Sequence, residues 1–211
     1  MQNTVKIRLA VPGDAEELCK IYATYVEKTA VSFEYQVPSA AGFRERIEDT
    51  IRKYPYLVAE KNGELCGYAC TKAFVGRKAY EHAAEVTIYL REDRKRQGLG
   101  KLLYQVLEEI SKAQHILNLY ACVGYPGEED EYLTRNSAQF HEHLGYQTVG
   151  IFHNCGYKFG RWYHMIWMEK LIGVHQGDPG EFIPLPDLER RVLEEIAGTL
   201  SGGGKEVELW R

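Results

Sequence analysis

Between Glu85 and Ala113 the chain reads EVTIYLREDRKRQGLGKLLYQVLEEISKA, and this stretch leaves few folds open. Val86, Ile88 and Leu90 alternate with Glu85, Thr87 and Tyr89, the two-residue period of a strand. From Leu99 onward, Leu102, Leu103, Val106, Leu107, Ile110 and Ala113 recur at helical spacing. Between strand and helix lies Arg94-Lys95-Arg96-Gln97-Gly98-Leu99-Gly100-Lys101. A glycine loop opening directly into a helix offers backbone N–H groups that have no intrahelical partner, and the helix dipole adds partial positive charge there. That is the chemistry of an anion site, most naturally for a phosphate or pyrophosphate. Gly98 and Gly100 let the backbone approach such a ligand without a Cβ in the way. A P-loop requires a hydroxyl after Gly-Lys, and Gly100-Lys101-Leu102 lacks one. A dinucleotide-binding loop requires a third glycine and an alternation of strands and helices.

The rest of the chain does not alternate that way. A strand at 5–9 precedes a helix begun at Asp14, with Glu17 in capping-box position, and a second helix starts at Pro38 and Ser39. Asn62-Gly63 between two apolar runs predicts a hairpin of 56–60 with 64–74. After the helix of the central stretch come a strand at 117–123, an acidic loop expected to be solvated, a helix over 132–144 stopped by Gly145, and strands at 146–155 and 161–170. The order predicts an α+β fold: a mixed, mostly antiparallel, seven-stranded sheet with helices on both faces. Residues 1–172 read as one domain, and 173–211 as a linker and C-terminal helical tail appended to it.

Composition narrows the partners. The 211 residues carry a formal net charge of −4, which argues against nucleic acid. No apolar run approaches the roughly 20 residues of a membrane span, and the N-terminus lacks the pattern of a signal peptide. Five scattered cysteines, Cys19, Cys66, Cys70, Cys122 and Cys155, form neither a disulfide framework nor a zinc set, so no metal is expected. They suit a reducing cytoplasm, and none sits in a nucleophile setting.

Ile88-Tyr89-Leu90 followed by Lys95-Arg96-Gln97-Gly98-Leu99-Gly100 resembles the acetyl-CoA loop of the GNAT superfamily of N-acetyltransferases. Within it, the chain is similar to the phosphinothricin N-acetyltransferase group over about residues 5–170. The supporting stretches are Tyr54 to Glu60, Arg77-Lys78-Ala79-Tyr80, Ala84-Glu85-Val86, His141 to Tyr146 and Gly156 to Trp162. Lys95 stands where the family usually has Gln or Arg, keeping a charge but not the planar fork. Thr134 stands where many relatives carry Asn, three residues before the small Ser137.

The resemblance implies a GNAT-like fold and direct attack of a primary amine on the thioester of acetyl-CoA, without an acyl-enzyme. Glu85 would be the base that frees the amine's lone pair, and His141 the acid that protonates the leaving thiolate. Ile88, Tyr89 and Leu90 would run along the pantetheine, with the Leu90 N–H on the thioester oxygen. Lys95, Arg96, Gln97, Gly98, Leu99, Gly100 and Lys101 would hold the pyrophosphate, and Ser137 would touch the arm. Phe33, Arg77, Tyr80, Tyr157 and Trp162 would bind the acceptor, a small amino-acid-like amine of the phosphinothricin, methionine sulfone or methionine sulfoximine type. An arginine fork suits a carboxylate or phosphinate. A homodimer is likewise implied by the resemblance alone. Two other readings stay open at this point: acetylation of a protein N-terminus or lysine, and a non-catalytic acyl-CoA sensor.

Overall fold

The structure, a computed structural model, describes residues 4–210. Residues 1–3 and 211, at the outer ends of the two segments 1–172 and 173–211 drawn from the sequence, lie outside the described residues. In chain order the elements are β1 (Val5–Leu9), α1 (Ala15–Lys28), α2 (Ala40–Ile51), β2 (Tyr56–Lys61), β3 (Glu64–Ala73), β4 (Ala83–Leu90), α3 (Leu99–Ala113), β5 (Asn118–Tyr125), α4 (Asn136–His143), β6 (Gln147–Lys158), β7 (Arg161–Leu171), α5 (Arg190–Leu200) and β8 (Lys205–Glu208).

Turn chemistry sets two hairpins. Asn62 and Gly63 both take positive φ, 55° and 81°, and join β2 to β3. Phe159 and Gly160 do the same at 52° and 75° between β6 and β7. Two successive left-handed residues give a turn whose twist matches that of the strands it joins.

The strands form one sheet in the order β6-β7-β5-β4-β3-β2-β1-β8. Among the described residues only β4–β5 and β1–β8 are parallel. The sheet therefore has eight strands where seven were expected. Lys205–Glu208 lies parallel to β1 in register Val5↔Lys205 to Arg8↔Glu208, and the Val5 N–H donates to the Gly204 carbonyl at 2.9 Å. The C-terminal segment also shares the main core. Leu185, Leu188, Leu193, Ala197, Val207 and Leu209 are buried with the residues of α3.

Each face has its own apolar layer. Val86, Leu119, Ala121, Ile166 and Met168 turn toward α3, which buries Leu102, Leu103, Val106, Leu107 and Ile110 among them. Full burial of such side chains is worth roughly 1.5–3 kcal/mol each. On the other face α1 and α2 cover β2 to β4 through Leu18, Tyr22, Tyr25, Phe43 and Ile47. These helices stop short of β5, β6 and β7, so the sheet beyond β4 is less covered on that side.

The acidic loop is not simply solvated. The Asp130 carboxylate accepts the Tyr132 and Leu133 N–H groups, both at 2.8 Å, the Tyr163 hydroxyl at 2.8 Å and Arg161 at 2.8 Å. Glu129 accepts the Arg135 N–H at 2.7 Å. With these N–H groups taken by carboxylates, α4 starts at Asn136 and not at Tyr132.

Candidate active site

The ladder between β4 and β5 ends early. Only Ala83–Val86 pair with Asn118–Ala121, although β4 runs on to Leu90 and β5 to Tyr125. On its other side β4 stays paired with β3 through Leu90. The Arg91 N–H donates to the Cys66 carbonyl of β3 at 2.8 Å. Backbone groups alternate sides along a strand, so Tyr89 faces β3 while Ile88 and Leu90 turn their N–H and C=O groups into the opening. The Tyr25 hydroxyl reaches in from α1. It donates to the Leu90 carbonyl at 2.5 Å and lies 3.3 Å from the Leu90 nitrogen as an acceptor. Burial pushes the Tyr25 phenol up to about 12, so it stays a neutral donor and acceptor. The Tyr89 ring is not a lining group. It packs against Tyr22 and Tyr25 at 4.8 Å each and against Tyr68 at 5.5 Å, which fastens β4 to α1.

The glycine loop stands at the end of this opening. Arg96 and Gly98 take positive φ, 61° and 79°, and the Leu102 N–H makes the first helical bond, to the Gly98 carbonyl at 3.1 Å. No side chain caps α3, and its first turn holds no acidic residue. The N–H groups of Leu99, Gly100 and Lys101 precede that first bond and converge on the loop. The Leu99 side chain is buried and anchors the turn. A Cβ on Gly100 would come within 3.0 Å of the Phe140 ring and 3.3 Å of Ile88 Cδ1; the glycine lets α4 close over the opening. The basic run divides in two. Arg91 and Arg94 are paired with Glu64 and Asp93. Lys95, Arg96 and Lys101 are exposed around the loop, and the Lys95 ammonium sits 5.0 Å from the Tyr25 ring centroid. Gln97 is tied to the Asp93 carbonyl at 3.1 Å and to Lys61 at 3.3 Å. A cleft of ≈ 420 Å³ between α1 and the end of β4 is lined by Tyr25, Leu90 and Lys95.

Glu85 occupies the last stretch of β4 that pairs with β5, opposite Tyr120. Its side chain, 17% exposed, faces away from the α3 layer and meets the Lys72 ammonium at 3.2 Å. Around it stand Phe74, stacked on Tyr120 at 4.2 Å, and Tyr80 and Trp167, which meet Phe74 edge-on at 6.3 and 5.4 Å. Cys122 follows on the same face of β5. Desolvation of the thiol by its neighbours, then the Glu85 charge, push it up to about 11, which keeps it protonated.

His141 does not stand ready as a proton donor to this opening. It is buried, its Nδ1–H donates to the Ser137 carbonyl at 2.7 Å, and its Nε2 accepts the Tyr104 hydroxyl at 2.9 Å. Burial lowers its pKa against the pull of that carbonyl, so the ring is neutral with both nitrogens committed. It joins α4 to α3. Ser137, half-buried one turn earlier, supplies its carbonyl to this bond.

The expected acceptor residues fall into separate groups. Arg77 is exposed, with no ion pair among the described residues, one short turn before Tyr80. Tyr157 and Trp162 pair at 5.0 Å at the exposed tip of the β6–β7 hairpin. Phe33 is a wedge between them and the body of the domain: its ring occupies the space a Gly156 side chain would need, at 2.5 Å, and stacks near Tyr163. Next to it the Lys158 ammonium, buried, donates to the Thr29 and Ser32 carbonyls at 2.9 and 2.6 Å, and the Tyr35 hydroxyl donates to the Tyr157 carbonyl. Sequence reasoning missed Tyr25, Lys72, Phe74, Tyr120 and Trp167. The alternation of 117–123 puts Tyr120 and Cys122 on one face, but only the parallel β4–β5 pairing brings that face beside Glu85.

Comparison with known proteins agrees with this geometry. A family profile described as an acetyltransferase (GNAT) domain matches residues 7–167. The chain is 32% identical over 162 residues to a phosphinothricin N-acetyltransferase of Streptomyces viridochromogenes, covering 77% of this chain and 85% of that protein. It is 29% identical over 169 residues to an L-methionine sulfoximine/L-methionine sulfone acetyltransferase of Pseudomonas aeruginosa, covering 79% and 94%. A GNAT superfamily phosphinothricin acetyltransferase from Sinorhizobium meliloti, solved in complex with AcCoA, superposes with a TM-score of 0.73 at 29% identity, covering 82% of this chain and 90% of that one. The chain is an N-acetyltransferase and belongs to the GNAT family.

Proposed function

We propose that the protein transfers an acetyl group from acetyl-CoA to the primary amine of a small amino-acid-like substrate, by direct attack within a ternary complex. The observation that carries this reading is a juxtaposition: the β4–β5 ladder opens one residue after Glu85, and the opening ends at the uncapped start of α3. The two halves of the reaction need those two chemistries at the ends of one slot.

The residues present fit acetyl-CoA. The N–H groups at Leu99, Gly100 and Lys101, with Lys95 and Arg96 beside them, suit a pyrophosphate. The free edge of β4 suits the amide groups of a pantetheine arm, through Ile88 and Leu90. The Leu90 N–H, met only at 3.3 Å by Tyr25, is the donor for the thioester oxygen as negative charge develops on it. Glu85 takes the proton from the ammonium of the acceptor, directly or through a water, and the amine nitrogen then bonds to the thioester carbon. The C–S bond breaks as the tetrahedral species collapses, and the departing thiolate takes the second proton that the former amine nitrogen gives up. The thiolate leaves without His141, since a free thiol near 8.5 is a tolerable leaving group. Lys72, more than half exposed, holds the Glu85 carboxylate until the acceptor's own cation replaces it. The unpaired Arg77 fork suits the substrate's carboxylate.

Two further parts belong to this reading. A homodimer is supported by β6, an edge strand that exposes Val149, Ile151 and Phe152, an edge that a second copy would cover. A cytoplasmic setting is supported by five free cysteines. The test is a panel of amines scored by release of free thiol from acetyl-CoA, led by methionine sulfone, methionine sulfoximine and phosphinothricin. Thiol release with one of these and none with peptides bearing free N-termini or lysines is expected. Turnover of peptides alone, or binding of acetyl-CoA without turnover of any amine, refutes the proposal.

A further inference from the structure

We infer that residues 174–179 complete a subsite beside Glu85 for the neutral, hydrogen-bond-accepting side chain of the amino-acid acceptor. This deepens the acetyl-transfer reading above and rests on it. The family match ends at residue 167, before this wall begins.

The subsite is a cavity of ≈ 450 Å³, with Tyr80, Asn118 and Tyr120 on one side and Val174, His175 and Pro179 on the other. Its floor shares a face with Glu85. Asn118 and Tyr120 alternate with Leu119 and Ala121, which are buried toward α3, as Ala83 and Glu85 alternate with Ala84 and Val86. In the parallel register Asn118 stands opposite Ala83, and Tyr120 opposite Glu85. The cavity floor thus begins within one two-residue step of the base, about 6.6 Å along the strand.

Hydrogen bonds give the cavity a direction. The His175 Nε2–H donates to Asn118 Oδ1 at 2.6 Å, and Asn118 Nδ2 donates to the Tyr120 hydroxyl oxygen at 3.1 Å. The Tyr120 oxygen is already an acceptor, so its own proton is free to donate to a bound group. Among the described residues, no Asp, Glu, Lys or Arg lines the space. A charged side chain would enter it unpaired, at a cost in desolvation. A sulfone, sulfoximine or amide oxygen meets the Tyr120 donor, and the aromatic rings of Tyr80 and Tyr120 cover the methylene stem.

The wall is held at several points. The Ile172 N–H donates to the Leu117 carbonyl at 2.8 Å, the His115 imidazole meets the Glu181 carbonyl at 2.7 Å, and the Ile183 N–H donates to the Gln114 carbonyl at 3.2 Å. These anchors stand on both sides of 174–179, and α5 and β8 lie beyond them.

The test is calorimetry on the full chain saturated with CoA, which cannot turn over, using L-methionine sulfone as probe and L-alanine as the short control. Two variants are compared with wild type: Tyr120→Phe, which removes only the donor, and Val174→Trp, which fills the cavity from a side chain that is 72% exposed. Wild type is expected to bind the sulfone at least about 10-fold more tightly than alanine. Tyr120→Phe should weaken the sulfone about 3- to 10-fold, the loss of one hydrogen bond, and Val174→Trp more, with alanine and CoA affinities unchanged in both. Equal binding of sulfone and alanine by wild type, or wild-type sulfone affinity in both variants, overturns the inference. If the sulfone binds as described but the wild type with acetyl-CoA releases no thiol, the subsite stands and the acetyl-transfer reading falls.

Discussion

Replacing Lys158 with Met should loosen the acceptor side of the domain. The Lys158 ammonium is buried, donates to the Thr29 and Ser32 carbonyls at 2.9 and 2.6 Å, and lies 5.1 Å from the Phe159 ring centroid. It ties the α1–α2 linker to the β6–β7 hairpin, and Phe33 fills the gap between them. Two hydrogen bonds from a charged donor are worth about 3–6 kcal/mol gross. Burial opposes this by disfavouring the ammonium, which pulls its pKa below the usual lysine range. A methionine of similar length refills the space but leaves two carbonyls without a donor. The net loss should be about 2–4 kcal/mol. For a domain of this size that corresponds to a fall in Tm of roughly 4–16 °C. Thermal unfolding followed by circular dichroism reads the loss, and the KM for the amine should rise more than the KM for acetyl-CoA. An unchanged Tm together with an unchanged amine KM would refute the view that Lys158 holds the two segments together.

Other outcomes follow from the same geometry. The buried His141 imidazole has its pKa lowered by burial, so the unfolded chain binds more protons from that lowered value up to about 6.5. Stability then rises with pH across that window and falls as the pH drops below about 6.5, by at most about 1.4 kcal/mol per pH unit from this group; urea unfolding at several pH values should show this, less steeply in His141→Phe. Burial works to raise the Asp130 pKa, but Arg161, the Tyr163 hydroxyl and two backbone N–H groups outweigh it and hold it below the usual carboxylate value. Its stabilisation is therefore present at neutral pH and is lost as the pH falls below about 3.9 through the folded value, and Asp130→Ala should cost about 2–3 kcal/mol in chemical unfolding at pH 7. Gly98→Ala places a Cβ at φ 79°, a strain of about 1–2 kcal/mol; the KM for acetyl-CoA should rise about 10-fold, with little change in the KM for the amine.

The parts of the fold that were legible in sequence are the ones carried by local rules. Strand alternation, helical spacing and the glycines between them marked β4, the loop and α3 within a residue or two. Asn62-Gly63 gave its hairpin through a conformation that few other residue pairs adopt easily. What stayed hidden depends on partners distant in the chain. The eighth strand is four residues long, mostly charged, and formed by pairing with a segment 200 residues earlier. Asp130 reads as one charge in an acidic run until Arg161 and Tyr163 come round to meet it. His141 has the residue type of an acid, and only packing against Tyr104 shows that its nitrogens are already used. Glu85 was legible as a candidate base; its setting of Lys72, Phe74 and Tyr120 was not, because it depends on the order of strands in the sheet.

The measurement that bears most directly on the account is the turnover number of Glu85→Gln with the best amine of the panel, taken across pH with acetyl-CoA saturating. The variant keeps the shape of the side chain and removes its ability to take a proton. Turnover should fall about 10²–10⁴-fold near neutral pH, recover toward alkaline pH as the free amine becomes abundant, and leave acetyl-CoA affinity within about 3-fold of wild type. Wild-type turnover at neutral pH in Glu85→Gln would contradict the account, since the proton would then leave the amine by a route that does not pass through Glu85.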